Sequence, residues 1–342
     1  QLSSEYQIDM TLWVDDLNSF SHILPQLNPG LVSQQHAGVT INQWSDPLAV
    51  EFTCAEVVIE AFACELPKTV VQAMLERHQA YKANLDDKKA PLWLNLEYLS
   101  AEAWVEGCHG LPSMQNNGLS KKFYFPGFTA NTGGLICEQD ILARRQLWQN
   151  EPHYRRQLFT TLGLKGIADD DTVISIFSYE SAALSALCQF WMLSDTPIHA
   201  LIPKGRSLNS IQALLPCSID KLQAGQQVVH NNLTIHILPM TDQQGYDELL
   251  WSCDFNIVRG EDSFLRAQWA AKPFIWHIYP QEDDYHLIKL DAFLGKYCSE
   301  LSPQSSEQFQ RLNVAFNQQD SESTILAWQN LASIEPELSK NA

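Results

Sequence analysis

Apolar segments of strand length alternate with amphipathic segments of helix length along most of this chain. The alternation is typical of parallel sheets, because a crossover, usually a helix, must carry the chain from one parallel strand to the next. The expected strands are residues 8–14, 39–44, 56–63, 92–96, 172–177, 198–203, 233–238, 254–258 and 273–278. The pattern therefore predicts an α/β protein with doubly wound parallel sheets.

The alternation is interrupted near the middle of the chain. Residues 121–128 are aromatic and loop-like, and residues 138–162 are a helical stretch that is closed by Gly163. Strands then resume, and 342 residues suffice for two ordinary domains. We therefore predict an N-terminal domain over residues 1–165 and a C-terminal domain over residues 166–342.

The composition is that of a folded, acidic protein. With 45% apolar and 18% charged residues the chain can bury large cores and has no signature of disorder. A formal charge of −18 argues against nucleic acid as a partner and favours a basic protein or a cationic acceptor. No apolar run approaches the roughly 20 residues of a membrane span, and no leader opens the chain, so we expect no membrane partner and a cytoplasmic location.

The residue types that bind metals do not form a metal-binding pattern here. None of the eight cysteines has C-x-x-C spacing, so we expect reduced, structural thiols rather than a zinc or redox site. The pairs Asp15–Asp16 and Asp283–Asp284 resemble metal pairs but are expected to be solvated ends of secondary-structure elements. We predict no metal ion.

Residues 259–264, Arg-Gly-Glu-Asp-Ser-Phe, join an apolar strand to an amphipathic helix through a glycine turn. Unpaired N–H groups and the helix dipole make a helix start attractive to anions, and Arg259 adds a positive charge, so the junction suits a diphosphate. Glu261 would repel a diphosphate unless a cation is also held there. The junction therefore predicts one site for a nucleotide and a positively charged second substrate.

Two doubly wound domains bind ligands in a crevice at the carboxyl ends of their strands. No G-x-G-x-x-G follows a strand and no G-x-x-x-x-G-K-[ST] occurs, which disfavours a dehydrogenase or a P-loop NTPase. A nucleotide-sugar transferase fits better. Glu97 and Tyr98 follow a strand of the first half and are expected to serve either structural support or acceptor binding.

Simpler roles stay open for several of these residues on local sequence alone. Asp262 or Ser263 is also a common helix-cap residue. Arg259 and Glu261 are also suited to a buried ion pair with each other. We expect His277, which lies in an apolar strand, to be a core histidine with its hydrogen bonds satisfied.

Several longer motifs resemble a known family. They are VIEAFACELP at 58–67, WLNLEYLSAE at 93–102, FPGF at 125–128, RGEDSF at 259–264 and WHIYPQ at 276–281. From the first residue to about residue 330 the chain resembles the bacterial protein-arginine rhamnosyltransferases that modify translation elongation factor P. The resemblance implies an inverting glycosyltransferase with two facing Rossmann-like domains (a GT-B-type fold). It would move L-rhamnose from dTDP-β-L-rhamnose to an arginine of that factor without a metal.

The resemblance also assigns site residues. Glu261 matches the second catalytic carboxylate of the family. The nucleotide-binding positions are Phe177, Tyr179, Met240, Thr241, Asp242, Gln243, Tyr246, Arg259, Gly260, Asp262 and Ser263. Met240 stands where an aromatic residue can occur, so stacking on the thymine is expected to fall to Tyr246. The local sequence alone predicts that Phe177 and Tyr179 are core aromatic residues at the end of a strand.

One catalytic residue of the family has no match in this chain. Family members open with a glycine loop, V-x-D-N-x-G-D-I-G, that carries the aspartate taken as the base. Asp15 and Asp16 follow the next strand and do not align with it. Gln1 and Leu2 resemble the end of the helix after that loop, so we expect the chain to begin within its first domain.

Three classes of function remain open at this point. The first is a protein-arginine rhamnosyltransferase. The second is a non-catalytic module that binds a sugar nucleotide or a translation factor. The third is a two-domain transferase or epimerase that uses another sugar nucleotide.

Overall fold

A computed structural model describes residues 2–45, 47–83 and 89–341. The chain forms two compact units, Gln1–Glu138 and Gln139–Ala342. Among the described residues, no helix has both the length and the apolar character needed to cross a bilayer.

The described residues of the first unit form eleven helices and strands. In chain order they are α1 (Leu2–Tyr6), β1 (Met10–Val14), α2 (Leu17–Ile23), β2 (Ser33–His36), β3 (Val39–Gln43), β4 (Val57–Ala61), α3 (Lys68–Lys82), β5 (Leu92–Leu96), α4 (Trp104–Cys108), β6 (Pro112–Met114) and β7 (Ser120–Tyr124). Strands β1 and β3 pair in parallel, with β2 antiparallel to β3. A second sheet has the order β4-β5-β7-β6, in which only β6 is antiparallel. The predicted parallel pairing is confirmed, but the described strands form two sheets.

Strand β7 lies within a segment that we expected to be a loop. Its inward positions are Lys121 and Phe123, so a lysine interrupts the apolar alternation that marks a half-buried strand. The Lys121 Nζ lies 3.3 Å from a carboxylate oxygen of buried Glu60 and 5.2 Å from the ring centre of Trp93. The buried ion pair lets a lysine occupy an interior position.

Helix α4 begins later than the sequence predicted. We expected a helix over residues 100–106 with a serine cap at its start. Ser100 instead forms an isolated bridge with Gly127, and the helix begins at Trp104 after Ala103, whose side chain makes no capping hydrogen bond. The Ser100 hydroxyl accepts from the Glu102 N–H and thus caps a local turn.

The second unit is larger and is built on one sheet. Its helices and strands are α5 (Ile141–Asn150), α6 (Pro152–Thr161), β8 (Thr172–Ile176), α7 (Ala182–Trp191), β9 (Ile198–Pro203), β10 (Gln227–His230), β11 (Leu233–Leu238), α8 (Gln243–Ser252), β12 (Phe255–Arg259), α9 (Asp262–Trp269), β13 (Phe274–His277), α10 (Tyr285–Tyr297), α11 (Pro303–Asn317) and α12 (Ser321–Asn341). The strand order is β10-β11-β9-β8-β12-β13, and all pairs except β10 with β11 are parallel. The α/β class is confirmed, and all five strands expected in this half are present.

The two units divide earlier in the chain than the predicted boundary after residue 165. Helices α5 and α6 pack on the second unit. Trp148 donates its indole N–H to Ser252 at 2.9 Å, and Gln149 donates to the Ala270 carbonyl at 2.8 Å. Arg155 forms an ion pair with Asp254 at 3.0 Å. These contacts involve residues distant in sequence, so the helical period alone did not reveal them.

Side chains of α11 satisfy the outer edge of strand β13. Asn313 accepts from the Trp276 N–H at 3.0 Å, and Asn317 accepts from the Ile278 N–H at 3.0 Å. Asn317 also donates to the Trp276 carbonyl at 2.8 Å. The two buried asparagines thus replace the hydrogen bonds of a further strand, which protects an edge that would otherwise be exposed for pairing.

We expect Asn317→Ala to lower the free energy of unfolding by about 2–4 kcal/mol, because two buried backbone groups lose their partner at about 1–3 kcal/mol each. Asn330→Ala is the control, since Asn330 is exposed and its amide donates to the Gln308 side chain at 3.3 Å, with no backbone partner among the described residues. The control should shift stability by no more than about 0.5 kcal/mol. Urea unfolding of both variants checks this. Equal shifts would show that α11 does not protect the edge.

Candidate active site

The predicted nucleotide-binding residues of two strands meet at the carboxyl ends of β8 and β12. These strands are parallel neighbours, with Ile176 opposite Ile257. Phe177 continues the ladder by donating its N–H to the Ile257 carbonyl at 2.8 Å. Tyr179 follows it, and Arg259 ends β12. The carboxyl ends of parallel strands lie at one edge of the sheet, so residues about 80 positions apart in sequence come together here.

The Arg259 side chain is held by aromatic rings. Its guanidinium carbon lies 4.3 Å from the ring centre of Phe177 and 5.0 Å from that of Tyr179. These ring contacts are the ones that the structure describes for Arg259, and the alternative of a buried Arg259–Glu261 pair stays a prediction. Ring faces attract the cation without using its N–H donors, which remain suited to an anion.

Burial acts on the ionisation of this cluster. It lowers the pKa of Arg259, and the neighbouring Arg206 lowers that pKa further, while Tyr179 acts in the opposite direction. Arginine nevertheless stays protonated in proteins. Burial raises the pKa of Tyr179, so its hydroxyl remains a neutral donor near neutral pH. The cluster therefore presents one fixed positive charge flanked by a hydroxyl donor.

Gly260 makes the turn between β12 and α9. Its φ of +65° lies in the left-handed region, which glycine adopts without strain. Its carbonyl accepts the indole N–H of Trp276 at 2.7 Å. The Trp276 ring in turn stacks on Phe264 of α9, with ring centres 3.7 Å apart and an interplanar angle of 10°. Strand β13 and helix α9 thus hold the turn between them.

Helix α9 begins without a side-chain cap. Glu261 is its N-cap residue, but the side chain makes no capping hydrogen bond, and the helix itself starts at Asp262. The alternative of Asp262 or Ser263 as a plain cap is therefore wrong. Asp262 instead accepts from Gln243 at 3.3 Å and lies 3.7 Å from Arg266 in an ion pair. The first N–H groups of α9 keep the polarity that favours an anion.

The loop before α8 is tied to this junction through the Gln243–Asp262 hydrogen bond. Asp242 caps α8 by accepting from the Gly245 N–H at 2.9 Å. A Cβ at Gly245 would come within 2.1 Å of the Thr241 hydroxyl, so any larger residue there requires the Thr241 side chain to move. Sequence reasoning missed Gly245, because the close approach involves a side chain four residues earlier. The Met240 side chain is 64% exposed and stands at the open edge of the loop.

Tyr246 is partly buried and packs against Phe177, so stacking on a base is not its sole contact. Its ring is edge-on to Phe177, with centres 6.0 Å apart. Burial raises the pKa of its hydroxyl, which lies near Ser263 without completing a hydrogen bond to a residue that the structure describes. The role of Tyr246 in stacking on thymine stays a prediction.

Glu180 and Arg206 form an ion pair that sequence reasoning missed. The Arg206 Nε lies 3.1 Å and 3.0 Å from the two carboxylate oxygens, and Asn209 donates to the same carboxylate at 3.0 Å. These hydrogen bonds lower the pKa of Glu180 to about 2. The Arg206 guanidinium carbon lies 5.6 Å from the Tyr179 ring centre. The sequence offered one indication of this pair, because Glu180 follows β8 and Arg206 follows β9, and these strands are neighbours in the sheet.

His277 is a core histidine, but its hydrogen bonds are not satisfied as expected. It is 0% exposed, and both ring nitrogens lack a partner within the described ranges. It lies opposite Arg259 in the β12–β13 pairing, and its ring is edge-on to Tyr179 at 5.4 Å. Burial, with smaller contributions from His286 and Arg259, lowers its pKa to about 4.

The described residues contain no group of three or more His, Cys, Asp or Glu side chains placed to hold a metal. Asp16 caps α2 by accepting from the N–H groups of Asn18 and Ser19. Asp283 and Asp284 lie in the short turn before α10. Both aspartate pairs are thus at the ends of elements, as expected.

The chain matches the family described as Elongation-Factor P (EF-P) rhamnosyltransferase EarP over residues 1–342. It is 61% identical over 334 residues to a protein-arginine rhamnosyltransferase of Shewanella oneidensis, covering 97% of this chain and 83% of that protein. A Pseudomonas putida protein of the same description is 45% identical over 303 residues, covering 88% and 76%. A solved structure described as the structural basis for EarP-mediated arginine glycosylation of translation elongation factor EF-P matches with a TM-score of 0.57 and 32% identity, covering 83% of this chain and 90% of that one.

We expect His277→Phe to raise the free energy of unfolding at neutral pH by about 1–2 kcal/mol, because it removes two buried groups without partners. The variant should also lose less stability in acid. A folded-state pKa of about 4, against about 6.5 unfolded, means that only the unfolded state binds the proton at intermediate pH. Stability therefore falls as the pH drops from about 6.5 towards 4, and Phe abolishes that contribution.

Chemical denaturation at about pH 7.5 and pH 5 measures both effects. His236→Phe is the matched control, because the pKa of His236 is also lowered to about 4 by burial and by His199, but His236 is hydrogen-bonded to His199 at 2.9 Å and to Gln227 at 3.1 Å. The control should be destabilised at neutral pH. If His277→Phe is destabilised to the same extent, the His277 ring has a partner.

Proposed function

The chain belongs to the EF-P rhamnosyltransferase (EarP) family, and on that premise we propose that it transfers L-rhamnose from dTDP-β-L-rhamnose to an arginine of EF-P with inversion. It is a protein-arginine rhamnosyltransferase. One observation carries the donor assignment. Arg259 is held by two aromatic rings and ends the strand that leads, through Gly260, into the uncapped start of α9.

The donor diphosphate binds at this junction. Arg259 supplies charge, and the first N–H groups of α9 supply hydrogen bonds. Tyr179 contributes a neutral hydroxyl on the same edge. The loop of Met240, Thr241, Asp242 and Gln243 surrounds the thymidine, with Tyr246 and Phe177 beneath it. Because Asp262 binds Gln243, the base side and the phosphate side of the donor are positioned together.

Glu261 binds the acceptor rather than the donor. A guanidinium nitrogen attacks the anomeric carbon as the bond from that carbon to the diphosphate oxygen breaks. The electron pair stays on the diphosphate, and the guanidinium gives up a proton to the Glu261 carboxylate. A guanidinium is a poor nucleophile unless carboxylates orient it and accept that proton. Glu261 orients the guanidinium, and attack from the face opposite the leaving group inverts the configuration.

Departure of dTDP needs no metal ion in this proposal. Arg259 and the N–H groups of α9 are oriented before the reaction and stabilise the charge that develops on the diphosphate. The reaction takes place in the cytoplasm, where EF-P acts in translation. The net charge of −18 favours approach of a basic, arginine-bearing surface over nucleic acid.

The first unit offers the acceptor side. Phe62 and Tyr98 follow β4 and β5, and their rings stack with centres 4.4 Å apart while remaining 46% and 53% exposed. Phe62, Ala63 and Glu65 have φ values of 55°, 53° and 48°, a left-handed conformation that is costly outside glycine. Such strain concentrates at binding sites. Exposed aromatic rings near carboxylates are suited to binding a partner surface that presents an arginine.

The decisive experiment is mass spectrometry of EF-P after incubation with this protein and dTDP-rhamnose. One added deoxyhexose on one arginine supports the proposal. Binding of dTDP and EF-P without modification would favour the non-catalytic module. Modification with another sugar nucleotide, but not with dTDP-rhamnose, would favour a transferase of different donor specificity.

We expect Arg259→Ala to weaken dTDP binding by about tenfold or more, since a charge-assisted contact is worth about 1.5–3 kcal/mol. Glu261→Gln should leave dTDP binding nearly unchanged and abolish transfer, because the amide keeps the shape and loses the charge. Calorimetry with dTDP and the EF-P assay measure the two effects. Equal loss of dTDP affinity in both variants would refute the division of roles.

We expect Tyr98→Ala to raise the KM for EF-P by about tenfold while dTDP affinity is unchanged, because the aromatic stack lies on the acceptor side. Tyr81→Ala is the control, since Tyr81 is also exposed, at 47%, but lies on α3. Steady-state kinetics with varied EF-P and calorimetry with dTDP separate the two parameters. An equal rise in KM for the control would contradict a specific role for Tyr98.

A further inference from the structure

We propose that Arg206 is a second donor-side cation, held by Glu180 in the free enzyme, that moves to the diphosphate as the sugar leaves. The proposal rests on the function proposed above, because it needs a nucleotide diphosphate at Arg259. Glu180 and Arg206 lie outside the family motifs quoted above. Removing the arginine is expected to weaken dTDP binding, and removing the glutamate is expected to strengthen it.

The first observation is that Arg206 and Arg259 converge on one side chain. Their guanidinium carbons lie 5.6 Å and 5.0 Å from the ring centre of Tyr179. They are close enough for the charge of Arg206 to lower the pKa of Arg259. Two like charges in one place are unfavourable unless an anion accompanies them. Glu180 is the anion at Arg206 in this structure, and a diphosphate would be the anion when donor is bound.

The second observation is that Arg206 is free to exchange partners while its backbone stays in place. The side chains of Arg206 and Glu180 are 54% and 42% exposed, and exposed ion pairs contribute little net stability. By contrast, the segment beneath is fixed. The Ser207 hydroxyl accepts from the Ser178 N–H at 2.8 Å and donates to the Ser178 carbonyl at 3.0 Å, which ties the loops after β8 and β9 together.

The third observation is the difference between the two arginines. Arg259 is half-buried against Phe177 and Tyr179, so its position is set before the donor binds. Arg206 has a carboxylate partner in reserve, so its charge is neutralised when no diphosphate is present. A site with one fixed and one exchangeable cation adjusts its positive charge to that of its ligand.

Such adjustment matches the chemistry of the reaction. The diphosphate of the donor is a diester. When the sugar bond breaks, the electron pair remains on the terminal oxygen, and dTDP carries one further negative charge at a pH above about 6. Arg259 faces the diphosphate both before and after the sugar bond breaks. The extra negative charge on dTDP gives Arg206 an anion to bind in place of Glu180.

The test compares Arg206→Gln with Glu180→Gln by calorimetry at about pH 7.5, using dTDP and dTMP as probes. We expect Arg206→Gln to weaken dTDP binding by about tenfold, the effect of one charge-assisted contact, and to change dTMP binding far less. Glu180→Gln should strengthen dTDP binding, because Arg206 no longer has a competing carboxylate. Arg206→Lys should retain part of the dTDP affinity.

A purely structural ion pair gives a different result. Each glutamine variant then breaks the same pair, so both would weaken dTDP binding or both would leave it unchanged, and either outcome overturns the proposal. Equal losses for dTDP and dTMP in Arg206→Gln would overturn it as well. Melting curves establish that both variants are folded.

If the unaltered protein binds dTDP and modifies EF-P but the variants fail these expectations, only this inference fails. If the unaltered protein does not bind dTDP, the proposed function and this inference both fail.

Discussion

The candidate site depends on the hydrogen bond between the Trp276 indole and the Gly260 carbonyl, 2.7 Å long. Gly260 is the left-handed turn that separates Arg259 from Glu261, so its position decides where both charges point. Trp276 is itself set by two asparagines of α11 that bind the outer edge of β13, including the Trp276 backbone. Protection of a sheet edge and placement of the turn proposed to bind the diphosphate are thus one continuous set of contacts.

Aromatic rings hold the half-buried cation of this site. A carboxylate partner would neutralise Arg259 and use its N–H donors, whereas Phe177 and Tyr179 attract the charge and leave those donors for a ligand. A carboxylate does hold Arg206, which is exposed and lies on the same tyrosine. The two arginines are thus held in two different ways, one by aromatic rings and one by a carboxylate, beside the proposed diphosphate site.

Sequence patterns predicted those parts of this protein whose signals are local. Strands β5, β9 and β11 were expected with the bounds they have, because each is a short, mostly apolar run between more polar segments. Strand β7 was missed because Lys121 occupies an inward-facing position, where it forms an ion pair with Glu60 of β4. The Arg259–Ser263 junction was expected for the same local reason, since strand, turn and helix start lie within six residues. Glu180 with Arg206, and Thr241 against Gly245, depend on approaches that no periodicity encodes.

Unfavourable local features lie at the carboxyl ends of strands in both units, whereas a polar network near the amino ends of β8 and β9 is satisfied. There Gln227, His236, His199 and Asp171 form a hydrogen-bonded chain with separations of 3.1, 2.9 and 3.0 Å, so every buried nitrogen of the two histidines has a partner. At the carboxyl ends, His277 has none among the described residues, and Phe62 and Ala63 are left-handed. Stability alone would favour removing such costs wherever they occur. Left-handed residues such as Ala37, Asn231 and Ala271 also lie in turns away from these edges, so strain alone does not mark a site. The features at the carboxyl ends differ in that they lie beside the residues of the proposed donor and acceptor sites, where parallel α/β sheets place ligands.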